Sequence, residues 1–209
     1  LTPVYSDVFR LSPALYNQTG EPLISWMWTV DGNQWTRQNT LQSDLGMTGF
    51  DEFGDVWGQW GGPSVDLMDA FGVSPVDNPS ARATEKDTRR KVTMMMAGDF
   101  YPYFWQDKGG FDVLRFMYDA DYGVGGPGEF CGPCGAQNCK HLYGNNADHE
   151  TALGKSAARM AYELPTHILR LSDVYLIYAE ASLLTGNSAA ALEYVNKVRE
   201  RAGAALLTS

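Results

Sequence analysis

The sequence is short of basic residues and of long apolar runs. Sixteen Lys and Arg stand against 25 Asp and Glu, a formal net charge of −9, which disfavours binding to nucleic acid or to an anionic membrane surface. No apolar stretch approaches the ~20 residues of a membrane-spanning helix. Because the chain has neither a signal-peptide pattern nor an initiating Met, we expect it to be a fragment of a longer protein. We interpret the one basic cluster as a solvated helix face: Arg82, Lys86, Arg89, Arg90 and Lys91.

The sequence also lacks the short motifs of common hydrolases and nucleotide-binding proteins. There is no G-x-S-x-G, no P-loop and no H-E-x-x-H. Asp51, Glu52 and Asp55 lie beside a tryptophan and resemble a glycosidase pair, which needs two carboxylates roughly 5 to 9 Å apart. Acidic residues on a Gly-rich loop more often bind hydroxyls or face solvent. We therefore predict a non-enzymatic protein without a cofactor, and keep a glycoside hydrolase as the alternative.

The chain has only three cysteines, and they lie close together in a Gly-rich stretch. Cys131-Gly-Pro-Cys134 matches a thioredoxin-type dithiol, but no strand precedes it and no helix follows, as that chemistry requires. Cys131, Cys134, Cys139 and His141 suit Zn²⁺ as ligands, although His141 follows Cys139 more closely than zinc spacings usually allow. A disulfide between two of the three suits an exported protein. We favour the disulfide over the zinc site, and both over redox catalysis.

Glycine and proline recur throughout residues 1–160, whereas residues 161–209 show a regular apolar periodicity. We divide the chain there into a loop-rich, aromatic-rich region with few short strands and a helix-turn-helix region. In the first region, the local pattern predicts a buried strand over Leu23–Val30, a helix over Val65–Phe71, and a helix or a strand over Asp87–Ala97. Ser64 is placed to cap the second of these.

The segment from Leu164 to Ala205 predicts two antiparallel helices joined by a Gly-Asn turn. Apolar residues recur at spacings of three and four in each half, at Ile168, Leu171, Tyr175 and Tyr178 and then at Ala191, Val195, Val198 and Ala202. Pro165 suits the first turn of the first helix, Gly186 a left-handed C-cap, and Asn187 or Ser188 the next N-cap. The pair resembles a tetratricopeptide repeat of about 34 residues. A single such pair cannot bury its own core, so we expect it to dock on helices elsewhere.

Three stretches of this segment form recognisable sequence motifs: Arg170–Val174, Tyr178–Ser182 and Asn196–Gly203. They read Arg-Leu-Ser-Asp-Val, Tyr-Ala-Glu-Ala followed by Ser, and Asn-x-Val-Arg-x-Arg-Ala-Gly. These motifs closely resemble those of the SusD/RagB family of Bacteroidetes outer-membrane glycan-binding lipoproteins. Pro63–Phe71 and Asp87–Arg90 are weaker matches to the same family upstream.

The resemblance implies a mainly α, SusD-like fold in which the tetratricopeptide-like pair is scaffold and the loops capture ligand. It implies non-catalytic binding of an oligosaccharide at the extracellular face of the outer membrane. It also implies delivery of that oligosaccharide to a SusC-like TonB-dependent transporter, with a membrane attachment only through a lipid anchor outside this chain. A protein-interaction scaffold that binds no sugar is the second alternative.

Tryptophan is the main chemical signal of the first region, which contains all six. Sugars present flat C–H faces that stack on aromatic rings, and hydroxyls that need polar side chains at the rim. Because tryptophan is also highly buried on average, we assign Trp26 and Trp28 of the strand-like run to the core. Core and sugar platform stay open for the others, and the resemblance favours the platform. The predicted ligand-binding set is Trp35, Arg37, Asn39, Trp57, Trp60, Tyr101, Trp105 and Asp107.

Overall fold

The computed structural model describes residues 1–16, 20–30, 39–51, 61–73, 82, 85–123, 135–157 and 161–208. Several predicted site residues lie outside the described residues: Trp35, Arg37, Glu52, Asp55, Trp57, Trp60, Cys131 and Cys134. Over the described part, the chain is mainly helical and its strands form three two-stranded antiparallel sheets. The predicted fold class, mainly α with few short strands, is confirmed.

Helices and short strands are interspersed along the chain. The helices are α1 Pro13–Tyr16, α2 Leu41–Leu45, α3 Val65–Ala70, α4 Thr88–Thr93, α5 Val113–Tyr118, α6 Asn146–Leu153, α7 Leu171–Leu184 and α8 Ser188–Ala202, with 3₁₀ helices at Tyr5–Phe9 and Gln106–Lys108. The strands are β1 Pro22–Trp26, β2 Met94–Met96, β3 Phe100–Tyr101, β4 Phe111–Asp112, β5 Ala136–Asn138 and β6 Thr166–Arg170. β1 pairs with β6, β2 with β5, and β3 with β4.

The short helices begin where a side chain accepts a backbone N–H. Ser64 accepts from the Leu67 N–H at 3.2 Å, as predicted for the start of α3, and Asp87 accepts from the Arg89 N–H at 3.0 Å at the start of α4. The segment predicted as helix or strand contains both, because α4 leads directly into β2. Local capping therefore sets where these elements start.

The first helix of the C-terminal pair begins later than the sequence predicts. Thr166–Arg170 is strand β6, which pairs with β1 from the other end of the chain, and α7 starts only at Leu171. Pro165 therefore precedes a strand instead of opening a helix. Local periodicity missed this because the partner strand is distant in sequence. The second half follows the prediction, since Asn187 accepts from the Ala190 N–H at 3.2 Å and caps α8.

The predicted strand over Leu23–Val30 is found in part, as β1 at Pro22–Trp26, but its apolar side chains are not buried. Trp26 is 65% exposed, and Leu23 and Ile24 are exposed beside it. Trp28 is partly buried and donates from Nε1 to Thr166 Oγ1 at 3.0 Å. The assignment of Trp26 to the core is therefore wrong, because within the described residues the β1–β6 sheet leaves this ring uncovered.

The largest core cluster lies among the loops and short elements of the first region. Its centre is a group of aromatic rings in edge-to-face contact: the Phe50 ring centroid lies 4.8 Å from that of Phe111, and the Trp105 centroid 4.9 Å from it. Phe104, Phe116 and Tyr122 complete the group. Aromatic packing of this kind stabilises more than burial alone. Much of the aromatic content of the sequence is thus used to build the interior.

One member of the predicted solvated basic cluster is buried. The Arg90 side chain is 2% exposed, and its guanidinium lies 2.7 Å from Glu85 and 2.5 Å from Asp99. Burial alone would lower the pKa of Arg90, but the hydrogen bonds to the two carboxylates raise it. The prediction of a fully solvated face is wrong for this residue, because the carboxylate of Asp99, which lies between β2 and β3, reaches it.

Helices α7 and α8 form an antiparallel hairpin whose end is anchored on the N-terminal part of the chain. Thr88 donates its hydroxyl to the Ala202 carbonyl at 3.1 Å, and Arg201 Nη1 lies 2.6 Å from Glu21 Oε2. Helix α7 also leaves an outer face of apolar side chains exposed, at Leu176, Ile177, Leu183 and Leu184. Docking of this outer face on further helices stays a prediction.

Gly203 closes α8 at a point where a side chain has no room. Its φ is +75°, and a Cβ atom would lie 2.4 Å from the Lys86 carbonyl oxygen. Gly186, which follows α7, has a φ of +84° with nothing within 4 Å of that position. Left-handed backbone costs an L-residue about 1–2 kcal/mol, and forced overlap costs about 1–3 kcal/mol more.

We therefore expect Gly203→Ala to lower the free energy of unfolding by about 1 kcal/mol or more beyond the loss caused by Gly186→Ala. Urea denaturation of the two matched variants measures the difference. Equal losses would mean that the α8 end and the Lys86 segment separate without cost, contrary to the close approach seen here.

Candidate functional site

Four described residues bound the two tryptophan-bearing stretches 31–38 and 52–60, namely Val30, Asn39, Asp51 and Gly61, and a buried polar network holds Asn39 and Asp51. Its centre is Gln42 of α2, whose side chain donates from Nε2 to Asp51 Oδ2 at 3.2 Å and to the Gly144 carbonyl at 2.9 Å. Its Oε1 accepts from the Gly144 N–H at 3.2 Å. Because Gln42 is 2% exposed, these bonds form away from water. Asp51, the residue before the second stretch, is therefore fixed to the interior.

Asn39, the residue after the first stretch, belongs to the same network. Asn39 donates from Nδ2 to the Leu164 carbonyl at 2.8 Å and accepts from the Leu41 N–H at 3.0 Å. The Tyr162 N–H donates to the Asn39 carbonyl at 3.1 Å, and the Tyr162 hydroxyl accepts from the Gln42 N–H at 2.8 Å. Asn39 is 2% exposed. The prediction that its amide binds a ligand is wrong, because both ends of that amide are used to position the chain.

The remaining two ends are also held by side chains. Glu163 accepts from the Val30 N–H and the Thr29 hydroxyl and pairs with Lys155 at 2.6 Å. Burial alone would raise the pKa of Glu163, but the hydrogen bond from Lys155 and those from the chain at Val30 lower it. Asn138 of β5 donates its amide to the Gly61 carbonyl. Val30 and Asn39 are thus held by the segment around Tyr162, Asp51 by Gln42, and Gly61 by β5.

Asp51 is not placed as a catalytic acid. It is 5% exposed, and one of its oxygens accepts from Gln42. A glycosidase needs carboxylates that reach both sides of a bound glycosidic bond, whereas this carboxylate is part of the interior network. The other two acids of that prediction, Glu52 and Asp55, lie outside the described residues.

Two residues of the predicted aromatic platform belong to the core. Trp105 is 0% and Tyr101 1% exposed. Trp105 donates from Nε1 to the Phe50 carbonyl at 2.9 Å, and Tyr101 donates its hydroxyl to the Lys91 carbonyl at 2.9 Å. Neither ring offers a face on which a sugar can stack, so the prediction is corrected for both. Rings this large carry more apolar area than other side chains, and their polar atoms donate hydrogen bonds to backbone carbonyls.

Asp107 is exposed, and one of its oxygens accepts from the Asn145 amide at 2.7 Å. Its second oxygen is directed to no side chain within the described residues. A ligand-binding role for Asp107 stays a prediction.

Sequence reasoning missed Asp148, the residue that holds the backbone at Trp105 and Gln106 in place. It is buried and accepts from the Trp105 N–H at 2.6 Å, from the Gln106 N–H at 3.0 Å and from the Asn145 N–H at 3.0 Å. Burial raises the pKa of Asp148 more than these N–H groups lower it. They hold Trp105 at a φ of +52°, a conformation that non-glycine residues rarely adopt. The available signal was the Asn145 to Asp148 capping box at the start of α6.

Cys139 carries a free thiol that is buried in the same core cluster as Tyr101. Burial raises the pKa of this thiol, which disfavours the thiolate that zinc requires. Nowhere in the described ranges do three His, Cys, Asp or Glu side chains gather so as to hold a metal ion. A disulfide would have to join Cys131 and Cys134, which lie outside the described residues.

Two histidines bond to backbone carbonyls of other segments. His167 accepts from the Ser25 hydroxyl at Nδ1, at 2.8 Å, and donates from Nε2 to the Val8 carbonyl at 2.7 Å. His149 is 0% exposed. Its Nδ1 lies 2.7 Å from the Lys155 carbonyl and so carries the proton, while its Nε2 is buried with no hydrogen-bond partner among the described residues.

This environment makes stability depend on pH. Burial lowers the pKa of His149 more than its bond to Lys155 raises it, so below the unfolded pKa of about 6.5 the unfolded chain binds the proton more strongly. The free energy of unfolding should therefore fall as the pH drops below about 6.5. We expect His149→Gln to flatten part of that fall between pH 7.5 and 5.5 in urea denaturation. Parallel curves for the two proteins would contradict the assignment.

Across the described residues, no helix combines the length and the apolar character needed to cross a membrane.

Comparison with known proteins gives consistent matches along nearly the whole chain. The SusD family model matches residues 23–209. A SusD-like protein of Bacteroides ovatus is 31% identical over 206 residues, which cover 95% of this chain and 30% of that protein. The chain thus spans about a third of the length of this relative.

Two solved structures share the fold. One, a crystal structure with a xylogluco-oligosaccharide, has a TM-score of 0.68 and 28% identity, covering 99% of this chain and 35% of that one. The other is a SusD-like protein of Bacteroides fragilis with a TM-score of 0.62 and 20% identity, covering 98% of this chain and 40% of that one. With the family match over residues 23–209, these similarities show that the chain belongs to the SusD family.

Proposed function

We propose that this chain binds an oligosaccharide without cleaving it. The observation that carries the proposal is the similarity, over 99% of the chain, to a protein crystallised with a xylogluco-oligosaccharide. The binding rings would be Trp35, Trp57 and Trp60, with Arg37 and Asp107 supplying polar contacts to hydroxyl groups. Aromatic rings with polar groups at their edges match the alternating apolar and polar surface of a sugar.

The polar network described above supports this choice of rings. Gln42 holds Asp51, Glu163 holds Val30 and Asn39 is bonded to Leu164, so three of the four described residues that bound stretches 31–38 and 52–60 have fixed positions. A binding surface gains affinity when less freedom must be lost on binding. The buried network would therefore serve ligand capture by fixing where the two stretches begin and end.

Removal of the three rings tests the proposal. We expect Trp35→Ala, Trp57→Ala and Trp60→Ala combined to weaken glycan affinity at least about tenfold, since each aromatic contact contributes about 0.5–1.5 kcal/mol. Trp26→Ala, which removes an exposed ring from the β1–β6 sheet, is the matched control and should leave affinity unchanged. Isothermal titration with a panel of neutral oligosaccharides, xylogluco-oligosaccharides among them, measures both.

The same panel separates the alternatives. Unchanged affinity in the triple variant would show that the chosen rings are wrong. Release of shorter products would favour a glycoside hydrolase, which the burial of Asp51 disfavours. Absence of binding across the whole panel would favour a protein-interaction scaffold, for which the exposed apolar face of α7 would be the contact surface.

We further propose that the oligosaccharide is captured at the extracellular face of the outer membrane and passed to a SusC-like TonB-dependent transporter. Membership of the SusD family supports this placement. The lipid anchor would lie outside this chain. Co-purification of a transporter of that class with the tagged protein from membranes is the expected result, and isolation of the protein without any outer-membrane partner would contradict it.

A further inference from the structure

A cleft of about 390 Å³ lies between the N-terminal segment, α4 and β3, and it includes no residue of the Gln42 network. One side is apolar. Val4 is 55% and Phe100 44% exposed, and Pro3 and Pro102 lie beside them. The cleft therefore offers an exposed ring and aliphatic surface to a ligand.

Three cations face this cleft: Lys86, Lys91 and Arg201. Within the described part of the chain, neither lysine forms an ion pair, and the Lys91 ammonium lies 5.4 Å from the centroid of the Tyr101 ring. The Arg201 side chain is 6% exposed and already pairs with Glu21 at 2.6 Å, so the donors left for a ligand are the two lysines. The cleft thus contains donors that the structure leaves unused.

The two carboxylates on the cleft wall are each paired with an arginine. Glu85 accepts from Arg90 at 2.7 Å, and Asp87 accepts from Arg89 at 2.9 and 2.5 Å. Arg89 neutralises Asp87, whereas Arg90 is shared between Glu85 and Asp99, so these acids offset one of the two lysine charges. In a chain whose net charge is −9, this cleft is therefore a place where positive charge is left over.

We propose that the cleft binds the carboxylate of an acidic sugar, a uronate. The lysine ammonium groups pair with the carboxylate, and the C–H face of the sugar ring packs on Phe100. The choice of an anion rests on the cleft alone, whereas the choice of a sugar rests on the proposed glycan binding. Carboxylate is the committed chemistry, and a sulfated sugar, which offers the same negative charge on the same ring, is a separate arm of the test.

The test compares ligands that differ in one group. Glucuronate and glucose differ only in the carboxylate, acetate carries the carboxylate without the ring, and glucose 6-sulfate replaces one anion by another. Titration of the chain followed by NMR should give an affinity for glucuronate at least about tenfold above those for glucose and acetate. Glucose binding as tightly as glucuronate would overturn the anion site, acetate doing so would overturn the sugar, and tighter binding of the sulfate would overturn the carboxylate.

Variants locate the effect. Lys86→Met with Lys91→Met should weaken glucuronate binding at least about tenfold, and Lys197→Met, which removes an exposed lysine of α8, should change nothing. The circular dichroism spectrum and the melting temperature report whether the double variant is folded, and full affinity in a folded double variant would overturn the site. The triple tryptophan variant should keep glucuronate binding while losing neutral oligosaccharides, so the two proposals fail separately.

Discussion

Trp105→Ala is expected to lower the free energy of unfolding by about 3–5 kcal/mol. The ring is 0% exposed, and its centroid lies 4.9 Å from that of Phe111 and 4.9 Å from that of Tyr122. Truncation removes these contacts and leaves a cavity at the centre of the aromatic cluster. It also removes the Nε1 donor from the Phe50 carbonyl, and a buried acceptor left without a partner costs about 1–3 kcal/mol.

Trp26→Ala is the matched control for this substitution. The same ring is removed from a position that is 65% exposed, and a surface substitution of this kind usually changes stability by no more than about 0.5 kcal/mol. Urea denaturation of the two variants at pH 7.5 measures both values. A loss in Trp26→Ala as large as that in Trp105→Ala would mean that the exposed strand, not the aromatic cluster, is the centre of stability.

Glu21→Gln is expected to cost about 3 kcal/mol of stability. The Glu21 side chain is 0% exposed and accepts from the Thr2 N–H at 2.7 Å and from Arg201 Nη1 at 2.6 Å. It joins the N-terminal segment, the start of β1 and the last turn of α8. The amide keeps the shape of the side chain but leaves the charge of Arg201 buried without an acid, which is why the loss is large.

The pH dependence of this effect distinguishes it from a packing defect. Burial alone would raise the pKa of Glu21, but the hydrogen bonds from Arg201 and Thr2 lower it below its ordinary value. Its contribution is therefore present above the unfolded pKa of about 4.3 and is lost as the pH falls through the lower folded pKa. The difference between wild type and Glu21→Gln should shrink in that range. Glu180→Gln, which changes an exposed glutamate of α7, should show no difference at any pH.

The comparison of Trp105 with Trp26 shows where sequence reasoning about the site had to fail. Both residues lie in aromatic runs, and the strand-like pattern around Trp26 favours the interior whereas the polar neighbours of Trp105 favour the surface. The structure reverses both. Asp148, 43 positions after Trp105, turns the ring inwards by binding the backbone beside it, and β6 pairs with β1 without covering Trp26.

Local signals did predict the elements whose ends are set by neighbouring residues. Ser64 caps α3 and Asn187 caps α8 because each accepts an N–H three positions further on. The sequence motifs of α7 and α8 likewise predicted the family to which the chain belongs. These features depend on contacts within one or two turns of helix, and such contacts are fully contained in the local sequence.

The tertiary structure alone decided the strand at Thr166–Arg170, the burial of Arg90 and the use of Asn39 as an anchor. Each depends on a partner that lies elsewhere in the chain: β1 for the strand, Asp99 from outside its helix for Arg90, and Leu164 for Asn39. A polar side chain is buried only where partners satisfy it, and chain folding supplies those partners. The sequence by itself therefore determined the family and the helix ends, whereas long-range hydrogen bonds and ion pairs decided which rings and charges reach the surface.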